Sequence, residues 1–104
     1  LLHRVLANLV LNALQVQTRG GWVGLSAVRA GPGEVALHVA DRGPGIPEGD
    51  LERIFQPFFS RRAGGTGLGL SIVQRIVSAI GGRIEVTSGP KGSDFSLVFP
   101  EAVP

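Results

Sequence analysis

One stretch of the chain combines closely spaced glycines with the start of a predicted helix. Residues 64–70 read GGTGLGL and lead directly into a long amphipathic run. Glycine lacks a Cβ, so its backbone can approach a ligand closely. A helix that begins there offers unpaired N–H groups and the positive end of its dipole, a combination that binds phosphate. The run therefore predicts a phosphate-binding helix start, although glycine-rich turns also serve as plain helix starts.

Two asparagines four residues apart, Asn8 and Asn12, share one face of a predicted first helix. Their amides need polar partners on a helix that is otherwise apolar. An amide oxygen could serve as a ligand of Mg²⁺, because this ion takes oxygen ligands and keeps waters and substrate phosphates in its shell. Solvated or backbone-bonded amides are the alternative, and these two residues alone leave both interpretations open.

A carboxylate follows a predicted strand at Asp41, in the loop DRGPGIP of residues 41–47. With Gly43 and Gly45 leaving room beside it, this carboxylate could accept a hydrogen bond from the exocyclic amine of a flat base, which would select adenine. A turn aspartate bonded to its own loop is the competing interpretation.

Two adjacent arginines, Arg61 and Arg62, stand just before the glycine-rich run, in an aperiodic segment of residues 56–65 that we expect to be mobile. Guanidinium groups suit phosphate oxygens, whereas a solvated loop would carry arginine as well. The glycine-rich helix start that follows favours a contact between one of the two arginines and a phosphate.

Two helices and four strands must position these groups. Apolar residues at spacings of three and four predict helices over residues 1–17 and 68–80, and a short helix is expected at 50–55. Because the strands come in hairpins rather than singly between helices, the order predicts an α+β two-layer sandwich. Its mixed, mostly antiparallel sheet would be covered on one face by helices. The strands are expected at residues 22–30, 34–41, 83–88 and 94–99.

The bulk composition excludes several classes of function. The 104 residues suffice for one domain with one core, and no internal boundary is visible, so we expect a single domain over residues 1–104. The net charge is only +2 and the basic residues are scattered, which argues against nucleic-acid binding. Disulfides and thiolate metal sites are excluded because Cys is absent. No apolar stretch is long enough to span a bilayer. Without an initiator Met, the chain is interpreted as a fragment.

Four segments, taken together in order and spacing, resemble the motifs of sensor histidine kinases. They resemble, in turn, the N box, the first glycine box, the F box and the second glycine box of that family. The resemblance covers residues 6–100 and implies the catalytic and ATP-binding domain of a two-component sensor histidine kinase, with the Bergerat nucleotide-binding fold. The segments are NLVLNA at 8–13, DRGPGIP at 41–47, IFQPFF at 54–59 and GTGLGLSIV at 65–73.

The resemblance assigns residues to the two ends of a nucleotide site. It implies that Asn12 coordinates Mg²⁺ and that Asn8 contacts the region where the phosphates meet the metal. It also implies that Asp41 binds the amino group of adenine, with Gly45 against the base. The other residues implied at the base are Gly43 and Ile46.

The same resemblance places the phosphates at the start of the second predicted helix, beneath an ATP lid formed by residues 56–65. From this lid, Arg61 or Arg62 could reach the terminal phosphate. Together with Asn8 and Asn12, these arginines are the implied catalytic residues. The implied phosphate-binding residues are Thr66, Gly67, Leu68, Gly69 and Leu70.

Four positions bear on how well the family pattern is kept. Gln15 and Val16 stand where members often have a basic and an aromatic residue, so one phosphate contact and one base contact would be absent or moved. In the third glycine region Ser93 could keep the hydroxyl that members have on Thr, and it is among the implied nucleotide-binding residues, whereas Asp94 makes the match imperfect.

The resemblance implies binding of Mg-ATP and transfer of its γ-phosphoryl group to a histidine on a separate dimerisation domain. Neither His3 nor His38 has the flanking pattern of a phosphoacceptor. The expected partners are ATP or ADP, the chain's own dimerisation and phosphoacceptor domain in a full-length homodimer, and a response regulator. Neither nucleic acid nor direct membrane contact is expected, and the expected location is the cytoplasm. The alternatives are a serine kinase of the anti-sigma type and an inactive ATP-binding scaffold.

Overall fold

A four-stranded sheet and two helices form the part of the chain that the computed structural model describes, residues 2–17, 21–59 and 69–101. The helices are α1 (Leu2–Gln15) and α2 (Gly69–Ala79). A 3₁₀ turn at Glu48–Asp50 and further turns stand where we expect a short helix, because so few residues do not offset the cost of helix nucleation. The strands are β1 (Val23–Gly31), β2 (Glu34–Asp41), β3 (Arg83–Gly89) and β4 (Gly92–Pro100).

The sheet has the order β1-β2-β4-β3, and the described pairings are all antiparallel. The hairpins β1-β2 and β3-β4 are each formed by consecutive strands, as the alternating patterns predict. They join along the central pair, β2 with β4, whose register sets Val39 opposite Phe95 and Asp41 opposite Ser93. The end of β2 therefore lies beside the start of β4, although 52 residues separate Asp41 from Ser93 in the chain.

Both helices pack on one face of this sheet and form the core with it. Leu9 of α1 and Val73 of α2 are buried against a layer that includes Val39, Phe95 and Leu97. Burying each large aliphatic side chain contributes about 1.5–3 kcal/mol relative to leaving it exposed. This arrangement confirms the α+β two-layer sandwich, with helices covering one face of the sheet.

The opposite face of the sheet carries polar and charged pairs. His38 Nδ1 lies 3.0 Å from Asp94 Oδ2, and the Arg83 guanidinium bridges Glu34 and Glu85 at 2.8 and 3.2 Å. Hydrogen bonds from Arg83 to Glu34, and then to Glu85, raise the pKa of Arg83 above its already high value. Because these pairs are largely exposed, each contributes little to stability. His38 is therefore not a simple surface residue, because it is half-buried and its ring is paired with Asp94.

Apolar side chains at the ends of the two helices are more exposed than the apolar pattern predicts. Ile80, the last residue of the second predicted helix, is 42% exposed because α2 ends at Ala79 and Gly81 turns the chain with φ +83°. Leu14, near the end of α1, is 57% exposed for lack of a neighbouring element among the described residues. No helix within the described ranges is long and apolar enough to cross a membrane.

Candidate functional site

A buried carboxylate stands at the end of β2. Asp41 is 7% exposed, and its Oδ1 accepts hydrogen bonds from the backbone N–H groups of Gly43 at 2.9 Å and Ser93 at 3.3 Å. The bond from Gly43 is the one that the turn interpretation predicts. The bond from β4 goes further, because it fixes the orientation of the carboxylate relative to the sheet. Between described residues, no hydrogen bond involves the second oxygen, Oδ2, so binding a base and bonding the loop are compatible.

The loop after Asp41 is docked onto the β3-β4 hairpin at positions that only glycine can occupy. Gly45 has φ +81°, and a Cβ there would collide with the carbonyl oxygen of Gly89. Gly92 has φ +141°, and a Cβ there would come equally close to the carbonyl oxygen of Asp41. The two glycines therefore allow the loop and the hairpin to lie in direct backbone contact.

Two serines reinforce this contact. The backbone N–H of Ile46 donates to Ser88 Oγ at 2.6 Å, and Ser88 Oγ lies 3.0 Å from Ser93 Oγ. The hydroxyl of Ser93, expected to face the nucleotide, is thus engaged within the protein, while its backbone N–H holds Asp41. Ser88 was not anticipated from the sequence, because its role depends on the loop folding back onto a strand more than 40 residues later.

A shallow depression of about 510 Å³ lies beside Asp41, along the β3-β4 turn. Its walls include Ala40, Thr87 and Asp94, which alternate along their strands with residues of the helix-facing side. The depression therefore opens toward the outer face of the sheet, away from α1.

The two asparagines lie on α1, beside its buried stripe. Asn8 and Asn12 are half-buried, next to Leu9 and Ala13, which are almost fully buried. In the described part of the chain, neither amide side chain forms a hydrogen bond, so the backbone-bonded alternative finds no support there. An amide oxygen at Asn12 is chemically suited to one position of a Mg²⁺ shell whose other ligands are phosphates and water.

The C-terminal end of α1 reaches the loop that carries Asp41. A Cβ on Gly43 would lie 3.1 Å from Val16 Cγ2 and 3.4 Å from Gln17 Cγ, so the buried Gly43 packs directly on this end of the helix. Asn12 is one turn earlier in the helix, and its carbonyl accepts from the N–H of Val16 at 3.2 Å. The end of α1, one turn beyond Asn12, thus contacts the loop that carries Asp41.

The start of α2 is only partly described. Helix α2 begins at Gly69, and Gly69 and Leu70 are half-buried, in agreement with the predicted helix start. A Cβ on Gly69 would meet no atom of the described residues within 4 Å. The other expected phosphate-binding or catalytic residues lie outside the described residues: Arg61, Arg62, Thr66, Gly67 and Leu68.

The phenylalanines in and next to the expected lid differ in burial. Phe55 and Phe59 are partly buried and pack against the core. Phe58 is 76% exposed and adopts φ +69°, an unusual backbone conformation for a residue other than glycine. The expected lid, residues 56–65, is described only as far as residue 59.

A protein family, curated relatives and solved structures match nearly the whole chain. The model of the family HATPase_c, described as "Histidine kinase-, DNA gyrase B-, and HSP90-like ATPase", matches residues 1–103. The sensor histidine kinase ZraS of Klebsiella oxytoca is 44% identical over 100 residues, which are 95% of this chain and 22% of ZraS. The sensor-like histidine kinase SenX3 of Mycobacterium tuberculosis is 43% identical over 110 residues, covering 99% of this chain and 27% of SenX3.

Solved structures agree with these relatives. The mycobacterial sensor histidine kinase MprB superposes with a TM-score of 0.85 at 34% identity, covering 93% of this chain and 70% of that one. The catalytic domain of the histidine kinase ThkA gives 0.83 at 36% identity, over 94% of this chain and 64% of that one. The resemblance to sensor histidine kinases inferred from four motifs is confirmed, and so is the fold it implies. The chain spans only 22% of the length of ZraS.

Replacing Gly45 by alanine should destabilise the loop that carries Asp41. The Gly45→Ala substitution forces a Cβ into a positive-φ position and against the Gly89 carbonyl, so the free energy of unfolding should fall by more than about 1 kcal/mol. Chemical denaturation measures this change. The matched control is Gly49→Ala, where a Cβ meets nothing within 4 Å and the change should stay within about 0.5 kcal/mol. Equal stabilities of the two variants would contradict the docking of this loop.

Proposed function

We propose, from the premise that this chain belongs to the HATPase_c family of histidine kinase-, DNA gyrase B- and HSP90-like ATPases, that it binds Mg-ATP and presents the γ-phosphoryl group to a histidine of a separate domain. The observation that supports this most directly is the carboxylate of Asp41, held by two backbone N–H groups within a four-motif chain of histidine kinase fold. The whole sensor kinase activity is a proposal, because the chain spans a small part of its curated relatives.

The adenine end of the proposed site is built around Asp41. Its Oδ1 is used by Gly43 and Ser93, so Oδ2 is the oxygen that would accept from the amino group of adenine. The backbone of Gly45 would lie against the base, and its lack of a Cβ lets the loop contact the carbonyl oxygen of Gly89. The ordered backbone of Ile46, held by Ser88, completes this end and keeps the loop from collapsing onto the carboxylate.

The phosphate end is proposed to lie between α1 and the start of α2. Asn12 would supply one neutral oxygen ligand to Mg²⁺, and Asn8 would contact the phosphates beside it. Donor chemistry supports this assignment, because an amide oxygen ligates Mg²⁺ without adding negative charge beside a triphosphate. Magnesium would neutralise phosphate charge. The proposed phosphate contacts at the helix start are Arg61, Arg62, Thr66, Gly67, Leu68, Gly69 and Leu70.

Catalysis in this proposal is mainly positioning and charge neutralisation. A nitrogen of the acceptor imidazole forms a bond to the γ-phosphorus, while the bond from that phosphorus to the β,γ-bridging oxygen breaks and ADP leaves. The chain orients the nucleotide through Asp41 and holds the phosphates through N–H groups of the α2 start. A closed lid over residues 56–65 would exclude water, which would otherwise compete as the nucleophile.

The acceptor histidine is proposed to come from elsewhere. His38 is paired with Asp94 on the outer face of the sheet, and His3 is exposed on α1, so neither lies at the proposed phosphate end. The partners proposed are ATP or ADP, the parent protein's dimerisation and phosphoacceptor domain in a homodimer, and a response regulator. Because ATP is the proposed substrate, we place the domain in the cytoplasm. Neither nucleic acid nor direct membrane contact is proposed.

The departures from the family pattern bear unequally on this proposal. Asp94 extends to the outer face, where it meets His38, so its charge is directed away from the Asp41 carboxylate. Gln15 and Val16 are both exposed at the end of α1 and leave room for other groups to contact the nucleotide. Of these departures, only Gln15 and Val16 favour an inactive scaffold.

Removing the carboxylate of Asp41 should weaken ATP binding. Because a hydrogen bond to a charged group contributes about 1.5–3 kcal/mol, Asp41→Ala should raise the Kd for Mg-ATP at least about tenfold and reduce the preference for ATP over GTP. Isothermal titration with each nucleotide measures both effects. Glu52→Ala, which removes an exposed acid at a turn, is the charge-matched control and should bind as the unaltered chain does. An unchanged nucleotide preference in Asp41→Ala would contradict the assignment of the adenine end.

Asn12 should act only through the metal. For Asn12→Ala, we expect the Kd for ATP in the presence of Mg²⁺ to rise about tenfold, whereas the Kd in excess chelator should hardly change. Titrations with and without EDTA separate the two. The control variant is Gln74→Ala, which removes an exposed amide from α2. If Asn12→Ala weakened binding equally under both conditions, the role of metal ligand would be wrong.

Phosphoryl transfer itself distinguishes the three candidate functions. The chain, a purified dimerisation domain from a relative and γ-labelled ATP should yield acid-labile label on a histidine of the dimerisation domain. Acid-stable label on serine would instead favour a serine kinase of the anti-sigma type. If titration with Mg-ATP at high micromolar concentration gave no heat at all, the scaffold function would be favoured.

A further inference from the structure

We infer that Gln17 is a positioning residue, which holds the Asp41 end of the nucleotide site at a fixed distance from the helix that carries Asn12. This inference rests on the proposed function, since it concerns how one ligand is held at two ends. Gln17 lies two residues beyond the end of α1 and was not among the residues singled out from the sequence. Its importance depends on contacts with two other segments.

The side-chain amide of Gln17 makes four hydrogen bonds, which is its full capacity with two donors and two acceptor lone pairs. The Nε2 group donates to the carbonyl oxygens of Ala13 at 3.0 Å and Trp22 at 2.9 Å. The Oε1 atom accepts from the N–H groups of Trp22 at 2.8 Å and Arg42 at 3.2 Å. One side chain thus joins α1, the residue before β1 and the loop that follows β2.

Two of the residues that are hydrogen-bonded to this amide are chain neighbours of the proposed site residues. Ala13 follows Asn12 in α1, and Arg42 follows Asp41 at the end of β2. A rigid amide between Ala13 and Arg42 therefore restricts the separation between the proposed metal ligand and the proposed adenine ligand. Gly43 packs against the aliphatic part of the Gln17 side chain, so the loop lies in direct contact with the end of the helix.

The stacking of Arg42 on Trp22 extends the same arrangement. The guanidinium carbon of Arg42 lies 4.4 Å from the centre of the Trp22 ring, a cation–π contact. Trp22 is placed for this contact by the two backbone hydrogen bonds that it makes to Gln17. The positive charge of Arg42 is thereby held over an aromatic face, and the salt bridges formed between described residues do not include one from Arg42 to Asp41. The carboxylate thus stays available to a base.

A ligand that spans both ends should respond differently from one that reaches a single end. Mg-ATP is proposed to contact both Asp41 and the α1 asparagines, whereas adenosine would contact only the Asp41 end. If Gln17 sets the separation of the ends, its loss should weaken Mg-ATP more than adenosine, because the pre-organised geometry is lost. A residue with a purely structural role would leave the ratio of the two affinities unchanged in the folded protein.

The test uses Gln17→Leu, which keeps a similar volume without hydrogen bonds, and Gln74→Leu, a matched change at an exposed amide of α2. Both ligands, Mg-ATP and adenosine, are titrated calorimetrically at a temperature where each variant is folded. For Gln17→Leu we expect the Kd of Mg-ATP to rise about tenfold and that of adenosine clearly less, in line with the loss of one to two net hydrogen bonds. Gln74→Leu should keep the ratio of the unaltered chain.

The folded fraction is read from far-ultraviolet circular dichroism, because Trp22 is hydrogen-bonded to Gln17 and its emission would respond to the substitution itself. Where Gln17→Leu is unfolded, Gln17→Glu takes its place, since it keeps an acceptor for the N–H groups of Trp22 and Arg42 but loses both donors; the same fall in the affinity ratio is expected. An unchanged ratio in the folded variant overturns the positioning role while leaving the proposed function intact. Failure of the unaltered chain to bind Mg-ATP overturns the proposed function and this inference together.

Discussion

The candidate site depends on one carboxylate being held by backbone N–H groups from two parts of the chain. Gly43 anchors Asp41 to its own loop, and Ser93 anchors it to β4. A buried carboxylate without such donors would be costly, because burial removes it from water. With them, one oxygen is fixed and the carboxylate keeps a single orientation. The loop, the hairpin and the end of α1 are all arranged around that orientation.

The antiparallel pairing of β2 with β4 makes this arrangement possible. Its register sets Asp41 opposite Ser93 at the same end of the sheet. Alternate residues of a strand share a face, so Asp41 lies on the same face of β2 as Val39, which packs against the helices. The core layer of Val39, Phe95 and Leu97 therefore fixes the position of the carboxylate beyond it. The alternation of residues along β2 thus places both the core side chains and the candidate adenine ligand.

The loop after Asp41 shows why backbone contact requires glycine on both sides. Gly45 approaches the carbonyl of Gly89, and Gly92 approaches the carbonyl of Asp41. A side chain at either position would separate the loop from the hairpin and release the N–H of Ser93. The glycines of the first and third glycine regions are therefore needed for contact between protein segments.

The helices, the strands and the chemical types of the candidate site residues could be predicted from the amino-acid sequence. Periodicity of apolar residues gave both helices and all four strands within a few residues, and the motif order gave the family, because these signals are local and each repeats over many positions. Three contacts are visible only in the folded protein: the backbone of Ser93 holds Asp41, Ser88 engages the Ser93 hydroxyl, and Gln17 joins α1 to Arg42. These contacts join segments far apart in the chain through single hydrogen bonds. A lone serine or glutamine carries no periodic pattern, so its partner is defined only once the sheet register and the helix packing have brought the segments together.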